Sequence, residues 1–90
     1  MKWTVIATWK MAAEGVKLAE TALREAGTAE AALTTVITNV ENDPRFHSVG
    51  YSGLPNQAGV VQLDGGYMDG DTLSVGAVGC VENVASAFTL

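Results

Sequence analysis

The spacing of apolar and polar positions changes several times along the chain. Residues 2–9, "KWTVIATW", are rich in β-branched and aromatic side chains and almost continuously apolar, which predicts a first strand covered on both faces. From Ala13 to Ala26 the apolar positions recur every three or four residues, the spacing of one helix face. Gly27 follows as the left-handed cap that ends such a helix. The pattern therefore predicts a strand followed by a helix over residues 13–26.

A second helix is predicted directly afterwards. Thr28 can cap its first turn, and Glu30 lies near its positive end. An apolar stripe runs along this segment: Leu33, Val36, Ile37 and Val40. The helix ends at "ENDP", because Pro44 disfavours helical backbone at the residue before it. Two helices joined through one glycine are expected to lie antiparallel or at an angle, both packed on the sheet.

The second half of the chain is rich in glycine and in β-forming residues. Residues 47–59, "HSVGYSGLPNQAG", form either a backbone that approaches another group closely or two successive tight turns. The segments 59–68 and 72–81 flank "DGD", which predicts a hairpin. Four glycines lie inside these strands and indicate bulges or close backbone approaches: Gly65, Gly66, Gly76 and Gly79. A third helix is predicted to begin near Glu82.

Composition narrows the functional classes. Among 90 residues, 48% are hydrophobic and 17% are charged, against about 25% charged in a typical domain. This balance favours apolar surface that is covered by a partner, by a continuation of the chain or by a second copy. The net charge of −5 offers no footprint for nucleic acid, and no segment is long enough to span a membrane. A single cysteine and the lack of a secretory signal favour a cytoplasmic protein.

Few side chains are arranged for metal, cofactor or acid–base chemistry. Asp64, Asp69 and Asp71 are clustered, but hairpin turns explain the last two. His47 has no second histidine with which to form a zinc site, so it is interpreted as a loop residue. Cys80 is interpreted as a small buried apolar residue rather than a nucleophile. The loop glycines match no phosphate-binding fingerprint, so neither a metal nor a cofactor is expected.

Three stretches together resemble the glycosylasparaginases. They are "IATW", "NDPRFHSVGYSGLPNQAG" and "LDGGYMDGDTLSVGAVG". This family is a branch of the N-terminal-nucleophile hydrolases that includes isoaspartyl peptidases and plant-type asparaginases, and the resemblance covers essentially all 90 residues in the same order. It implies an α/β (α+β) fold, the N-terminal portion of an αββα sandwich. The chain would supply a strand, two helices, the glycine-rich loop, the hairpin and the start of a third helix. Residues 1–90 are then a single partial domain from the front of the α-subunit region.

The resemblance also implies a reaction. Family members hydrolyse the side-chain amide of asparagine, typically one that carries N-acetylglucosamine. They cut themselves before a threonine whose hydroxyl then attacks and whose new α-amine serves as the base. Thr72 in "GDTLS" follows an aspartate, but Ser74 stands where the family has glycine. The nucleophile is therefore expected beyond this segment, so the chain holds no catalytic residue and is inactive alone. Its expected partners are the missing C-terminal half or subunit and an asparagine-type substrate.

Two residues are assigned to the substrate pocket through the resemblance. Trp9 matches the tryptophan that lines the pocket, although Lys10 and Met11 replace the usual Pro-Phe after it. Ser48 matches the serine that reaches the region of the catalytic threonine. The alternatives are that Trp9 is a core aromatic residue and that Ser48 bonds its own turn.

Two functional hypotheses remain. The chain is either the N-terminal piece of an amidohydrolase or a non-catalytic binding or assembly module built on the same fold. Within the family, the "TW" and "HSVG" forms favour the glycosylasparaginase branch over the isoaspartyl peptidase and plant-type branch.

Overall fold

A computed structural model of the chain describes residues 2–89, apart from the side chain of Ala26. The chain divides into two compact units, residues 1–40 and 41–90. Two helices and one hairpin make up its regular structure: α1 (Ala13–Ala26), α2 (Ala29–Glu41), β1 (Leu63–Asp69) and β2 (Ser74–Val81). Single 3₁₀ turns occur at Lys10–Ala12 and Gly50–Ser52. The predicted α/β class is confirmed, and these elements are consistent with a piece of the implied sandwich.

Helix α1 begins and ends where the apolar spacing predicts. Ala19 and Leu23 are buried, as expected for the apolar face. Gly27 has a φ of 69° and forms the left-handed C-cap. The apolar spacing of residues 13–26 and the glycine that follows are therefore enough to predict where α1 begins and ends.

Helix α2 is also capped as predicted. The N–H of Ala31 donates a hydrogen bond to the Thr28 hydroxyl over 3.2 Å, which satisfies one of the unpaired amides of the first turn. The buried positions are Ala32, Val36 and Val40, four residues apart. Leu33, predicted to belong to the apolar stripe, is exposed.

Helices α1 and α2 approach closely at one point. A Cβ atom on Gly15 would lie 3.0 Å from the Cα and the carbonyl oxygen of Val36. The side-chain amide of Asn39 also donates a hydrogen bond to Glu14 over 3.2 Å. The absence of a side chain at Gly15 thus allows the two backbones to touch. That both helices pack on the sheet remains a prediction.

The predicted first strand is wrong. Residues 2–9 form no strand, and Ile6 and Trp9 are 86% and 71% exposed instead of covered on both faces. A strand exists only when its N–H and C=O groups pair with a neighbour. Within residues 2–89 the only sheet is the pair β1 and β2, and residues 2–9 pair with neither strand.

The predicted hairpin forms, with its first strand beginning at Leu63 rather than at Gly59, and one of its interior glycines lies at a bulge. β1 and β2 are antiparallel, from Asp69 opposite Ser74 at the turn to Leu63 opposite Val81. β2 carries one extra residue near Gly79 and Cys80. Cys80 has a φ of 52°, and its N–H donates to the Asp64 carboxylate over 2.8 Å.

The prediction that Cys80 is buried is wrong. It is exposed, because β2 is exposed along most of its length and only Val78 and Val81 in this strand are half-buried. Gly65 makes the predicted close approach, since a Cβ there would lie 2.8 Å from the Ala87 backbone.

The third helix predicted from Glu82 does not form over residues 82–89. Asn83 adopts a left-handed φ of 57°, which is incompatible with a helical run. The Ser86 hydroxyl accepts the N–H of Thr89 over 3.3 Å, the geometry of a helix N-cap. Within the described residues this hydrogen bond closes a turn and does not open a helix. No helix within residues 2–89 is long and apolar enough to cross a membrane.

Candidate functional site

The first half of the glycine-rich loop is a closed turn. The N–H of Leu54 donates to the carbonyl oxygen of His47 over 2.9 Å, and the N–H of Gly53 donates to that of Gly50 over 3.0 Å. Nδ1 of His47 lies 2.9 Å from the carbonyl oxygen of Ser52. Because a carbonyl can only accept, this bond requires a proton on Nδ1. The interpretation of His47 as a loop residue is confirmed, and its ring braces the turn.

The second half of the loop is another turn, organised by Asn56. Its side-chain oxygen accepts the N–H groups of Ala58 and Val60 over 2.9 and 3.1 Å. Its own N–H donates to the carbonyl oxygen of Val60 over 2.8 Å. Gly59, with a φ of 79°, closes this turn. Residues 47–59 are therefore two successive turns.

The loop also makes one close backbone approach. Gly50 has a φ of 63°, and a Cβ atom there would lie 2.3 Å from the Cα and the carbonyl oxygen of Glu41. Both the backbone conformation and the lack of space require glycine. The two interpretations of this stretch are thus compatible, because Gly50 brings the first turn onto the end of α2.

Ser48 lies in the first of these turns. It is exposed and precedes Gly50 by two residues. The position of its backbone therefore depends on the contact between Gly50 and Glu41. Neither its assignment to the substrate pocket nor the alternative of a bond within the turn is decided by this placement.

Trp9 lies in the first compact unit, whereas Ser48 lies in the second. The carbonyl oxygen of Trp9 accepts the N–H of Ala12 over 3.0 Å and opens the turn before α1. Its side chain is 71% exposed, so within the described residues it is not a core aromatic. Lys10 is exposed and Met11 is half-buried.

An open groove in the first unit has walls from the N-terminal segment and from α1. Its lining residues are Trp3, Val5, Val16, Glu20, Leu23 and Arg24. The Arg24 guanidinium and the Glu20 carboxylate are 2.6 Å apart and largely exposed. Trp9 does not line this groove. The groove holds no nucleophile, and its only charged groups neutralise each other.

Thr72 lies in the hairpin turn. Its hydroxyl donates to the Ser74 hydroxyl over 2.9 Å and accepts the N–H of Ser74 over 3.3 Å. The Asp69 carboxylate accepts the N–H of Asp71 over 2.9 Å. Turn chemistry thus accounts for Asp69 and for Thr72. Among residues 2–89, no group of three or more histidine, cysteine, aspartate or glutamate side chains could hold a metal ion.

The sequence did not single out the ion pair that precedes the loop. Arg45 donates hydrogen bonds to Asp43 from Nε over 3.0 Å and from Nη2 over 2.6 Å. These bonds lower the pKa of the Asp43 carboxyl to about 2. The same guanidinium lies 5.4 Å from the centre of the Phe46 ring. The only local feature of the sequence that indicates this ion pair is an aspartate two residues before an arginine, with a proline between them.

The sequence also did not single out a buried carboxylate, Glu41, which is 6% exposed. It accepts a hydrogen bond of 2.5 Å from the Ser86 hydroxyl and one of 3.2 Å from the N–H of Ala87. No local pattern distinguishes it from an ordinary glutamate at a helix end, since its partners lie more than forty residues away.

Comparison with known proteins places these elements in a family. Residues 4–90 match a family model described as "Asparaginase". The chain is 37% identical over 81 residues, 90% of its length, to the isoaspartyl peptidase/L-asparaginase of Mus musculus and to that of Rattus norvegicus. It is 33% identical over 86 residues, 96% of its length, to the N(4)-(beta-N-acetylglucosaminyl)-L-asparaginase of Elizabethkingia miricola.

These alignments cover 23% of each rodent protein and 25% of the bacterial one, so the chain spans about a quarter of the length of these relatives. The family match, in contrast, takes in both helices, the glycine-rich loop and the hairpin. The chain belongs to the asparaginase family.

Proposed function

We propose that this chain is the N-terminal segment of an amidohydrolase that cleaves the side-chain amide of an asparagine-type substrate. The observation that carries the proposal is the family match over residues 4–90. The two-turn loop and the hairpin, which hold the motifs that first indicated the family, support it. In this proposal Trp9 and Ser48 of the segment line the substrate pocket, and the segment supplies no group that reacts with the substrate.

The segment is proposed to be inactive alone. A processed threonine needs a free α-amine as its base, whereas the nitrogen of Thr72 is an internal peptide nitrogen in a hairpin turn. The complementary part is proposed to be the C-terminal region of the same enzyme, either continuous with this chain or a separate subunit. That region would carry the self-cleaving threonine.

The substrate is proposed to be an asparagine bearing N-acetylglucosamine. The forms "TW" and "HSVG" support this branch. Relatives named for both activities match at similar identity, so β-aspartyl dipeptides and free asparagine belong in the same assay. A cytoplasmic setting and assembly into a homo-oligomer accompany this proposal as expectations from composition.

The test compares the 90-residue chain with the same chain joined to a complementary family C-terminal region. We expect no turnover of any of the three substrates by the chain alone, and self-cleavage followed by turnover in the joined protein. Turnover by the chain alone that disappears in Thr72→Ala would make Thr72 the nucleophile. A joined protein that folds but neither cleaves itself nor turns over substrate would favour the non-catalytic module.

Two variants of the joined protein test the pocket wall. Trp9→Ala is expected to weaken substrate use and leave self-cleavage intact, because an aromatic wall positions substrate without taking part in proton transfer. Ser48→Ala is expected to slow self-cleavage or turnover. Unchanged kinetics in both variants would remove these residues from the site.

A further inference from the structure

The second compact unit contains a buried carboxylate that the proposed reaction does not use. Glu41 is the last residue of α2. Burying a carboxylate is unfavourable unless its oxygens accept hydrogen bonds, and here both oxygens do. Oε1 accepts from the Ser86 hydroxyl and Oε2 from the Ala87 N–H. The carboxylate therefore ties the end of α2 to residues 86–87.

Ser86 is itself buried and held from both sides. Its oxygen accepts the N–H of Thr89, and its only proton is donated to Glu41 over 2.5 Å. A hydrogen bond from a hydroxyl to a carboxylate is about twice as strong as one between neutral groups. The pair is thus a strong link between segments forty-five residues apart.

Each end of this link touches a glycine whose side chain would not fit. Gly50 lies against the Glu41 backbone, where a Cβ would be 2.3 Å from the Cα. Gly65, in β1, lies against the Ala87 backbone, where a Cβ would be 2.8 Å from the carbonyl carbon. Backbones in such close contact cannot shift independently. The placement of Glu41 relative to Ser86 therefore fixes the first turn of the loop relative to β1.

We infer that Glu41 and Ser86 are positioning residues for the glycine-rich loop. The pair holds Gly50, and through it Ser48, in a fixed place relative to the hairpin. This assignment of a role in the reaction rests on the proposed function, because Ser48 is a pocket residue only there. The ordering of the loop by the pair is a property of the 90-residue chain and does not depend on activity.

The first experiment measures amide hydrogen exchange in the 90-residue chain. The reporters are the N–H groups of Gly53 and Leu54, which close the first turn; residues 66–68 and 75–77 of the hairpin are the reference. Glu41→Ala leaves two donors unpaired, so we expect exchange of the reporters to accelerate at least about tenfold more than that of the reference. Ser86→Ala removes the hydroxyl bond to Glu41 and the acceptor of the Thr89 N–H, but it keeps the bond from the Ala87 N–H to the carboxylate, so it is expected to have a smaller effect on the reporters.

Two further variants make the result specific. Glu41→Gln keeps an oxygen for Ala87, and the Ser86 hydroxyl can turn to accept from the new amide group, so it is expected to restore most of the protection. Glu25→Ala, the same truncation at an exposed glutamate of α1, is expected to leave both sets of amides unchanged. Reporters and reference that accelerate equally, or a variant that loses structure throughout the unit, would contradict the inference, as would unchanged reporters.

The second experiment uses the joined, self-cleaving protein. Glu41→Ala is expected to lower the rate of self-cleavage or kcat per folded molecule on the order of tenfold, with KM little changed, and Glu41→Gln to recover most of the loss. A purely structural role would lower only the amount of folded protein. If the joined protein is inactive for every variant, the proposed function fails while the exchange result stands. If wild type is active and the variants match it, the positioning role fails.

Discussion

Replacing Gly50 by alanine tests the closest contact of the second unit. The methyl group would lie 2.3 Å from the Cα and the carbonyl oxygen of Glu41 and 2.6 Å from its carbonyl carbon. Ordinary carbon contacts are about 3.5–4.0 Å, so the two backbones must separate by about 1 Å or more. Overpacking of this kind costs about 1–3 kcal/mol. The left-handed φ adds about 1–2 kcal/mol, which gives a total loss of about 2–5 kcal/mol.

Two other glycines separate these terms. Gly59 also has a left-handed φ, of 79°, but no atom lies within 4 Å of its added Cβ, so Gly59→Ala is expected to lose only about 1–2 kcal/mol. Gly70 has neither a positive φ nor a neighbour within 4 Å. Gly70→Ala is expected to be neutral or to stabilise by up to about 1 kcal/mol, because alanine restricts the unfolded chain.

The assay is urea unfolding of the three variants and the wild type, followed by far-ultraviolet circular dichroism. We expect the midpoints to rank Gly70→Ala, Gly59→Ala and Gly50→Ala from highest to lowest, with Gly50→Ala at least about 1 M below wild type. If Gly50→Ala and Gly59→Ala unfold within about 0.5 kcal/mol of each other, the overlap with Glu41 contributes nothing, and the argument for a fixed loop loses its basis.

Three other changes have expected outcomes. Thr28→Val removes the acceptor at the start of α2 and should cost about 1 kcal/mol in urea unfolding, whereas Thr28→Ser should cost little; equal losses would exclude capping as the cause. Asp43 should titrate near pH 2 by NMR, so its bonds to Arg45 stabilise the fold above the unfolded pKa of about 3.9 and are lost as pH falls toward 2. In Arg45→Ala that pKa should return toward 3.8, and an unchanged value would refute the cause assigned. Asp64→Ala should speed exchange of the Cys80 amide at the bulge while Asp64→Asn should not; equal rates would show that this hydrogen bond gives no protection.

The sequence predicts correctly those features whose interacting residues are close together in the chain. Helix α1 and the cap at Thr28 follow from residues within one or two turns, so their bounds could be predicted. The hairpin turn at Asp69–Asp71 is equally local. Residues 2–9 have strand composition, but a strand needs a partner, and its composition does not identify one.

The candidate site could be predicted only in part for the same reason. The glycines at 50 and 65 indicated close approaches, but not that the neighbours are Glu41 and Ala87. No residue near Glu41 in sequence indicates that its carboxylate accepts a hydrogen bond from Ser86. Free cysteine is usually a buried residue, which is why Cys80 is predicted to be buried, but most of β2 is exposed in the structure.

The bulge at Cys80 has a practical consequence. The chain has a single cysteine, and its thiol is exposed on a strand. A thiol reagent such as a maleimide dye therefore labels one known position on β2 without any engineered substitution. A lower labelling rate then shows that another protein segment covers this strand, and it does so without an activity assay. Without a reductant, the same thiol can join two chains into a covalent dimer, so purification requires reducing conditions.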